Sequence, residues 1–172
     1  MAFPAYFSVK GTRQGQFKGE SLEAQRKGKW MAVLSFTMDV ESPRDAATGQ
    51  PSGKRTWKPV RILKEWGAAS PEGLTACATN EILTEVVVEF TKPVATGKEY
   101  VYQRVTLTDA TIARVVRYTG QPGPSAGAGG MSGSTPWADA HELEEWSFTF
   151  RKVEVVDNDG KTAFTDDWLA LA

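Results

Sequence analysis

The sequence contains very little cysteine or histidine. Cys77 is the single cysteine and His141 the single histidine among 172 residues. One cysteine excludes an internal disulfide, and one histidine excludes a metal site built from several histidines. A chain of this length can bury a full hydrophobic core without a disulfide or a structural metal. We expect a single domain over residues 1–172.

The chain also lacks a long apolar run and an excess of one charge. Lys10 and Arg13 interrupt the N-terminal segment early, which predicts no Sec signal and no membrane span. We therefore expect folding in the cytoplasm, and export by a route that needs no signal peptide. Lys and Arg number 20 against 21 Asp and Glu, so the formal charge is −1. This balance argues against binding of nucleic acid, and any basic patch must be local.

Two stretches resemble ligand-binding loops, but each lacks residues that the corresponding motif requires. In "TGQPSGKRT", Gly53 and Lys54 are followed by Arg55, and Thr48 stands where a phosphate-binding loop requires its first glycine. The stretch "DNDGK" begins like a calcium loop at Asp157, but the closing acidic position falls on a tryptophan. We interpret that stretch as a hairpin turn with Asp-Gly at its tip.

The remaining reactive side chains form no catalytic group. Cys77 falls on the presumed apolar face of a helix, where a free cysteine acts as a small hydrophobic residue. His141 precedes several glutamates, and nothing beside it supplies a nucleophile or an oxyanion hole. We therefore predict that the protein is not an enzyme and that it holds no cofactor and no metal.

What the sequence does contain is two-residue alternation of apolar and polar side chains, which is typical of β-strands. The alternating runs are 3–10, 30–39, 82–90, 100–107, 112–118 and 146–155. The phase slips after Arg151, and a β-bulge near Arg151 and Lys152 would return both parts of the last run to the core. Strands at this spacing suggest a closed barrel or a sandwich.

One helix is predicted in "SPEGLTACATNE". Ser70 is a good N-cap and Pro71 suits the first helical position. Leu74, Cys77 and Ala78 fall on one face, which we expect to be buried. Asn80, just beyond them, is a residue that can end a helix in a left-handed conformation.

Two excursions interrupt the strands. The tract from 119 to 136, "TGQPGPSAGAGGMSGSTP", is almost uncharged, and we predict a flexible insertion. The second excursion, about 41–57, is a loop that contains Lys54, Arg55 and Trp57 and is followed by Lys58. Loops of this size without secondary structure are usually functional or disordered.

Several strands also present apolar or aromatic residues on the face that a small soluble barrel would leave polar. These residues are Met31, Val33, Val87, Tyr100 and Tyr102. Apolar residues on an outer face suggest burial against another subunit.

Taken in order, several patterns resemble the haemolysin-coregulated protein (Hcp) family of type VI secretion. They are the opening "MAFPAYFSVKG", the strand "WMAVLSFTMDVESP", the long "ATGQPSGKRTWKPVRILKEWGAASPEGLTACATNEIL", and "ELEEWSFTFRKVEVV" followed by "DDW". The resemblance implies a mainly β fold, an antiparallel β-barrel with one short flanking α-helix and a long loop between the second and third strands. It also implies a homo-hexameric ring that stacks into a tube, driven by a contractile sheath, tipped by a spike protein and carrying small effectors.

The resemblance gives the basic loop a role. In the family this loop contacts the adjacent ring, so Lys54, Arg55, Trp57 and Lys58 become candidate contact residues. The alternative is a monomeric β-barrel that binds a small ligand in its interior, because a barrel of about eight strands can hold one.

Overall fold

The computed structural model describes residues 4–21, 26, 28–119 and 142–169. Within these ranges the chain forms strands joined to one helix, α1 (Ser70–Ala78). The strands are β1 (Ala5–Gly11), β2 (Gly15–Gln16), β3 (Met31–Ala32), β4 (Ser35–Thr37), β5 (Val40–Glu41), β6 (Thr56–Trp57), β7 (Val60–Glu65), β8 (Leu83–Pro93), β9 (Glu99–Thr119), β10 (Glu142–Thr149), β11 (Lys152–Asp157) and β12 (Thr162–Asp167). The predicted mainly β fold with one short helix is confirmed. The described part of the chain includes no helix of the length and apolarity that crossing a membrane requires.

The long strand β9 organises the sheet. Its first half pairs with β8 on one side and β11 on the other, and its second half pairs with β10. The strand bends at Asp109, whose φ of 49° is a left-handed conformation that aspartate tolerates. The antiparallel order is β2-β1-β8-β9-β10-β7-β4, with β11 and β12 branching from β9.

The two ends of this order are joined by the segment 31–37. β3 pairs with β1, and β4 pairs with β7. Between them, the backbone N–H of Val33 donates to the Ala5 carbonyl at 2.9 Å and that of Leu34 to the Leu63 carbonyl at 2.8 Å. The predicted barrel therefore needs one correction, since among the described residues no continuous ladder closes the sheet, and a strand interrupted at two residues bridges the gap.

Large aromatic side chains fill the interior. Trp146 is fully buried, and its ring centroid lies 5.8 Å from that of Phe7, 6.3 Å from that of Phe17 and 6.2 Å from that of Phe148. The first two contacts are edge-to-face, the favourable arrangement for aromatic rings. The space between the strands is thus occupied by the protein's own side chains.

Helix α1 lies directly on Trp146. A Cβ added at Gly73 would come within 2.3 Å of Trp146 Cζ2, so the helix can approach the ring this closely only with glycine at that position. The helix ends as predicted, with Asn80 in the left-handed region at φ 51°.

The cap and the buried face of α1 differ from the sequence expectation. Ala69, and not Ser70, is the N-cap, and it makes no side-chain capping bond. The predicted inward face is wrong, because Leu74 is 40% exposed, Cys77 is half-buried and Ala78 is exposed. The buried positions all have small side chains, which the close approach to Trp146 requires: Ser70, Gly73 and Ala76.

A buried ionic network lies beneath the start of the helix. Lys64 Nζ is 3.0 Å from Glu144 Oε1 and 3.2 Å from Glu20 Oε1, and both Lys64 and Glu144 are fully buried. Ser70 Oγ donates to Glu144 Oε1 at 2.8 Å, and Arg117 Nε donates to Glu144 Oε2 at 3.0 Å. Buried charges are tolerated when they are paired in this way, and the network ties β7, β9, β10 and α1 together.

The predicted phase slip near Arg151 is confirmed. Phe148 and Val153 are both buried. Strict two-residue alternation would place them on opposite faces of the strand, because one position number is even and the other is odd. The slip takes the form of a two-residue break between β10 and β11, where the Arg151 N–H donates to the Thr108 carbonyl at 3.2 Å. Because β10 pairs with one half of β9 and β11 with the other, the break lies opposite the bend at Asp109.

The predicted hairpin turn and the predicted insertion in the C-terminal half have different outcomes. Asp159 and Gly160 lie in the turn between β11 and β12, as predicted, and the Gly160 N–H donates to Asp157 Oδ1 at 2.6 Å. The predicted insertion 119–136 lies outside the described residues beyond Thr119, and so does His141.

Candidate assembly surface

The basic loop predicted at 41–57 is an ordered hairpin. At its base β5 and β6 pair with each other as a separate two-stranded sheet. Further out, Arg44 and Pro51 form a single antiparallel bridge. We call residues 42–55 the arm. Nearly every residue of the arm is exposed, so it projects from the body of the subunit.

The tip of the arm is held by its own hydrogen bonds. Asp45 Oδ1 accepts the N–H groups of Ala47 and Thr48 at 2.8 and 2.9 Å, and Gly49 turns the chain with φ 70°. These bonds, from Thr48 first and then Ala47, lower the pKa of Asp45. A self-bonded aspartate turn of this kind gives the arm a defined shape without a partner.

Three side chains fasten the base of the arm to the C-terminal hairpin, and we call them the clamp: Arg55, Trp57 and Asp166. Arg55 donates from Nε and Nη2 to the two carboxylate oxygens of Asp166, and from Nη2 to the Asp167 carbonyl at 3.2 Å. Trp57 Nε1 donates to Asp166 Oδ2 at 2.8 Å. A forked guanidinium contact fixes orientation as well as distance, so the clamp sets the direction in which the arm leaves the body.

Trp57 is part of the hydrophobic core. It is 8% exposed, and its ring lies 5.5 Å from Phe150 and 6.2 Å from Phe164, centroid to centroid. The expectation that Trp57 contacts an adjacent ring is therefore corrected for the indole ring, which already occupies a pocket of its own subunit.

The electrostatics of the clamp favour the ionised carboxylate. The hydrogen bond from Arg55 lowers the pKa of Asp166 against the opposing effect of burial, and the bond from Trp57 lowers it further. The same contact raises the pKa of Arg55. Beside the clamp, Arg151 joins Asp167 Oδ2 at 2.9 Å and Asp109 Oδ2 at 2.8 Å, which connects the hairpin to the bend of β9.

Comparison with known proteins identifies the family. A family model described as "Type VI secretion system effector, Hcp" matches residues 6–156. The chain belongs to the Hcp family. A relative in Pseudomonas aeruginosa PAO1, described as the major exported protein, is 32% identical over 178 aligned residues, which cover 98% of this chain and 96% of that protein. As an Hcp, this protein is a secreted subunit of the type VI secretion tube.

Solved Hcp structures share the fold of this Hcp. A crystal structure of an Hcp protein has a TM-score of 0.80 at 23% identity, with 97% of this chain and all (100%) of that chain covered. The secreted protein Hcp3 from Pseudomonas aeruginosa has a TM-score of 0.71 at 27% identity, with 98% and 100% covered. The likeness extends over nearly the whole length of each protein.

Two lysines of this Hcp remain candidates for contact beyond the subunit. Lys54 is exposed near the base of the arm, next to Arg55, and no ion pair joins it to another residue of the described ranges. Lys58, just past the base, lies 3.2 Å from Asp39, with both side chains largely in solvent. Exposed pairs of this kind contribute little to stability and can exchange partners.

The predicted subunit faces divide into two groups. Met31 is fully buried and Val33 packs against the core, so the prediction of an outer position is wrong for both. The reason is register: Met31 lies directly opposite the buried Phe7, and opposed residues of an antiparallel pair share a face.

The other predicted residues do face outward. Val87 is half-buried on the side of β8 opposite the core, and Tyr100 is 37% exposed. Tyr100 donates its hydroxyl to Asp159 at 3.0 Å, and Lys92 lies 4.1 Å from the ring centroid of Tyr102. This outer surface is accessible to a neighbouring subunit.

Sequence reasoning does not identify Asp166 and Asp167 as residues of this surface. Asp166 is held by Arg55 of the arm, and Asp167 is held by Arg151 in the break that precedes β11. The signal in the sequence that could have pointed to them is a pair of acids at the end of an alternating strand, in the same "DDW" that supports the family resemblance. Across the described residues, no group of three or more acids, cysteines or histidines is placed to hold a metal ion.

Proposed function

We propose that this Hcp is a non-catalytic subunit of homo-hexameric rings, and that the arm makes the contact between stacked rings. The arm supports this proposal because it is exposed, internally ordered and fixed to the body by the clamp. Lys54 and Lys58 supply the charge for an acidic surface on the next ring. Arg55 and Trp57 act within their own subunit by setting the direction of the arm.

The outward residues Val87, Tyr100 and Tyr102 pack against the neighbouring subunit within a ring. A closed ring requires two complementary surfaces on each subunit. Aromatic side chains on an outer face are the type that interface cores favour. The stacked rings form the tube that a sheath propels, with a spike protein at its tip and small effectors inside, and export needs no signal peptide.

The observation that carries the proposal is the projecting arm, which has no role in the core of its own subunit. The alternative, a monomeric barrel that binds a ligand in its interior, gains no support, because Trp146 and the aromatic rings around it occupy that space.

Native mass spectrometry and negative-stain imaging of the purified protein test the proposal. We expect one species of six subunits, each of 18.8 kDa, visible as rings. A monodisperse monomer at micromolar concentration in low salt would contradict it.

A further inference from the structure

A row of polar side chains crosses the sheet formed by β4, β7, β10 and the second half of β9. Thr37 lies opposite Arg61, Arg61 lies opposite Ser147, and Ser147 lies opposite Arg114. Their neighbours Ile62, Trp146 and Phe148 point into the core, so this row lies on the outer face of the sheet. The four residues share a row because each is the direct partner of the next across its strand pair, and the irregularity in the β9–β10 pair comes only after Ser147.

The row forms one wall of a cavity of about 520 Å³, which we call the groove. The groove is lined by Thr37, Arg61, Ser147 and Arg114, with Asp39 and Lys58 at one end. Ser147 is only 6% exposed and forms the floor between the two exposed arginines. The site is therefore concave, in contrast to an arginine pair on a convex surface.

The charge of the groove is uncompensated. Lys58 is matched by Asp39 at 3.2 Å, whereas neither Arg61 nor Arg114 forms an ion pair with any residue that the structure describes. One strand separates the two arginines, so their backbones are about 10 Å apart. Two guanidinium groups face one cavity in a protein whose formal charge is −1.

We propose that the groove binds an acidic segment of a partner protein, with carboxylates engaging Arg61 and Arg114 across Ser147. Arginine binds carboxylates through two parallel hydrogen bonds, which gives strength and orientation. Backbones about 10 Å apart leave room for two carboxylates of one polypeptide segment, one at each guanidinium group. The alternative of a nucleic acid needs a longer basic surface with aromatic rings for stacking, and none of the described residues that line the groove is aromatic.

This binding site is separate from the arm and does not depend on ring stacking. The probe is a fluorescein-labelled octaglutamate peptide, titrated with the assembled protein at low salt and followed by fluorescence anisotropy. We expect saturable binding that weakens as salt is added. Replacement of both arginines in Arg61→Gln/Arg114→Gln is expected to weaken binding at least about tenfold, because contacts to charged groups are lost at both ends of the groove.

Matched variants make the result specific. Lys10→Gln/Lys98→Gln removes two exposed cations outside the groove and should bind like the unaltered protein. Lys54→Glu alters the arm alone and should also retain peptide binding, which separates this proposal from the one about stacking. If the glutamine variant fails to assemble, Arg61→Lys/Arg114→Lys keeps the charge without the forked geometry and should bind with intermediate affinity.

Three outcomes would overturn the proposal. They are equal peptide binding by the protein with and without Arg61 and Arg114, equal binding of an uncharged octaglutamine peptide, and tighter binding of an eight-nucleotide single-stranded DNA than of octaglutamate. The last would assign the groove to nucleic acid.

Discussion

At the scale of single residues, the clamp shows how one carboxylate can hold a distant segment. Asp166 closes an edge strand, yet its two oxygens accept bonds from Arg55 and Trp57, more than a hundred positions earlier in the chain. The indole is held twice, by this bond and by its contacts with Phe150 and Phe164. Trp57 therefore contributes to the stability of the subunit as well as to the position of the arm.

Replacing Trp57→Ala should lower the free energy of unfolding by about 3 kcal/mol, because it empties a packed aromatic site. The matched control is Trp168→Ala, since Trp168 is 50% exposed and its truncation leaves no cavity. Chemical denaturation followed by circular dichroism measures both. If the two variants lose the same small amount, Trp57 does not act as a core residue.

Asp166 should also give the protein a defined response to acid. Its folded-state pKa lies below the ordinary value of 3.8, so the bond to Arg55 stabilises the fold at every pH above that value. The contribution is lost as the pH falls through the folded-state pKa, where the carboxylate takes up a proton.

The test compares unfolding of the natural protein with that of Asp166→Asn between about pH 2.5 and pH 7. The difference in unfolding free energy should stay constant above about pH 5 and shrink below about pH 4. A difference that shrinks instead between neutral pH and about pH 5 would point to another titrating group and against this account of Asp166.

At the scale of elements, local signals in the sequence predict some features well and miss others. Alternation predicts most strands, and single residues such as Asn80 predict where α1 ends, because both depend on local backbone and side-chain preferences. Alternation does not predict which side chains of the segment 31–37 face the core. The strand is interrupted at Val33 and Leu34, because its first part pairs with β1 and its second part pairs with β7. The clamp escapes it as well, since its geometry depends on contacts between residues far apart in sequence.

The buried face of α1 was also missed, because the helix uses small residues where an apolar stripe was expected. This leads to a prediction at Gly73. Replacing Gly73→Ala should destabilise the protein by about 1–3 kcal/mol through steric conflict with Trp146, although alanine is the better helix former. Trp146 cannot move aside easily, since Phe7, Phe17 and Phe148 surround it.

The control for Gly73 is Gly53→Ala in the arm, where the nearest atom to an added Cβ is Pro43 Cγ at 3.8 Å. That variant should unfold with nearly unchanged midpoint in the same thermal scan. An unchanged or higher midpoint for Gly73→Ala would mean that the helix shifts away from Trp146 at little cost.

At the scale of the whole molecule, the structure separates two tasks. The body is held by the aromatic interior and the buried ionic network around Lys64 and Glu144. The arm carries exposed charge outward from a fixed base, and contributes no buried residue of its own between 42 and 54. Changes to the exposed side chains of the arm should therefore alter assembly without altering folding.

Lys54→Glu is the sharpest test of that separation. In a hexameric ring the change is repeated at every subunit, so a loss of about 0.5 kcal/mol per contact becomes about 3 kcal/mol per ring interface, or more than a hundredfold in stacking affinity. We expect shorter or fewer tubes by electron microscopy and an unchanged ring mass by light scattering.

The control variant Lys98→Glu reverses an exposed charge in the turn between β8 and β9 and should leave tube length unaltered. Because exposed ion pairs are screened by salt, the difference between the two variants should narrow as ionic strength rises. Tubes of equal length from both variants at low salt would show that the charge of Lys54 does not take part in ring-to-ring contact.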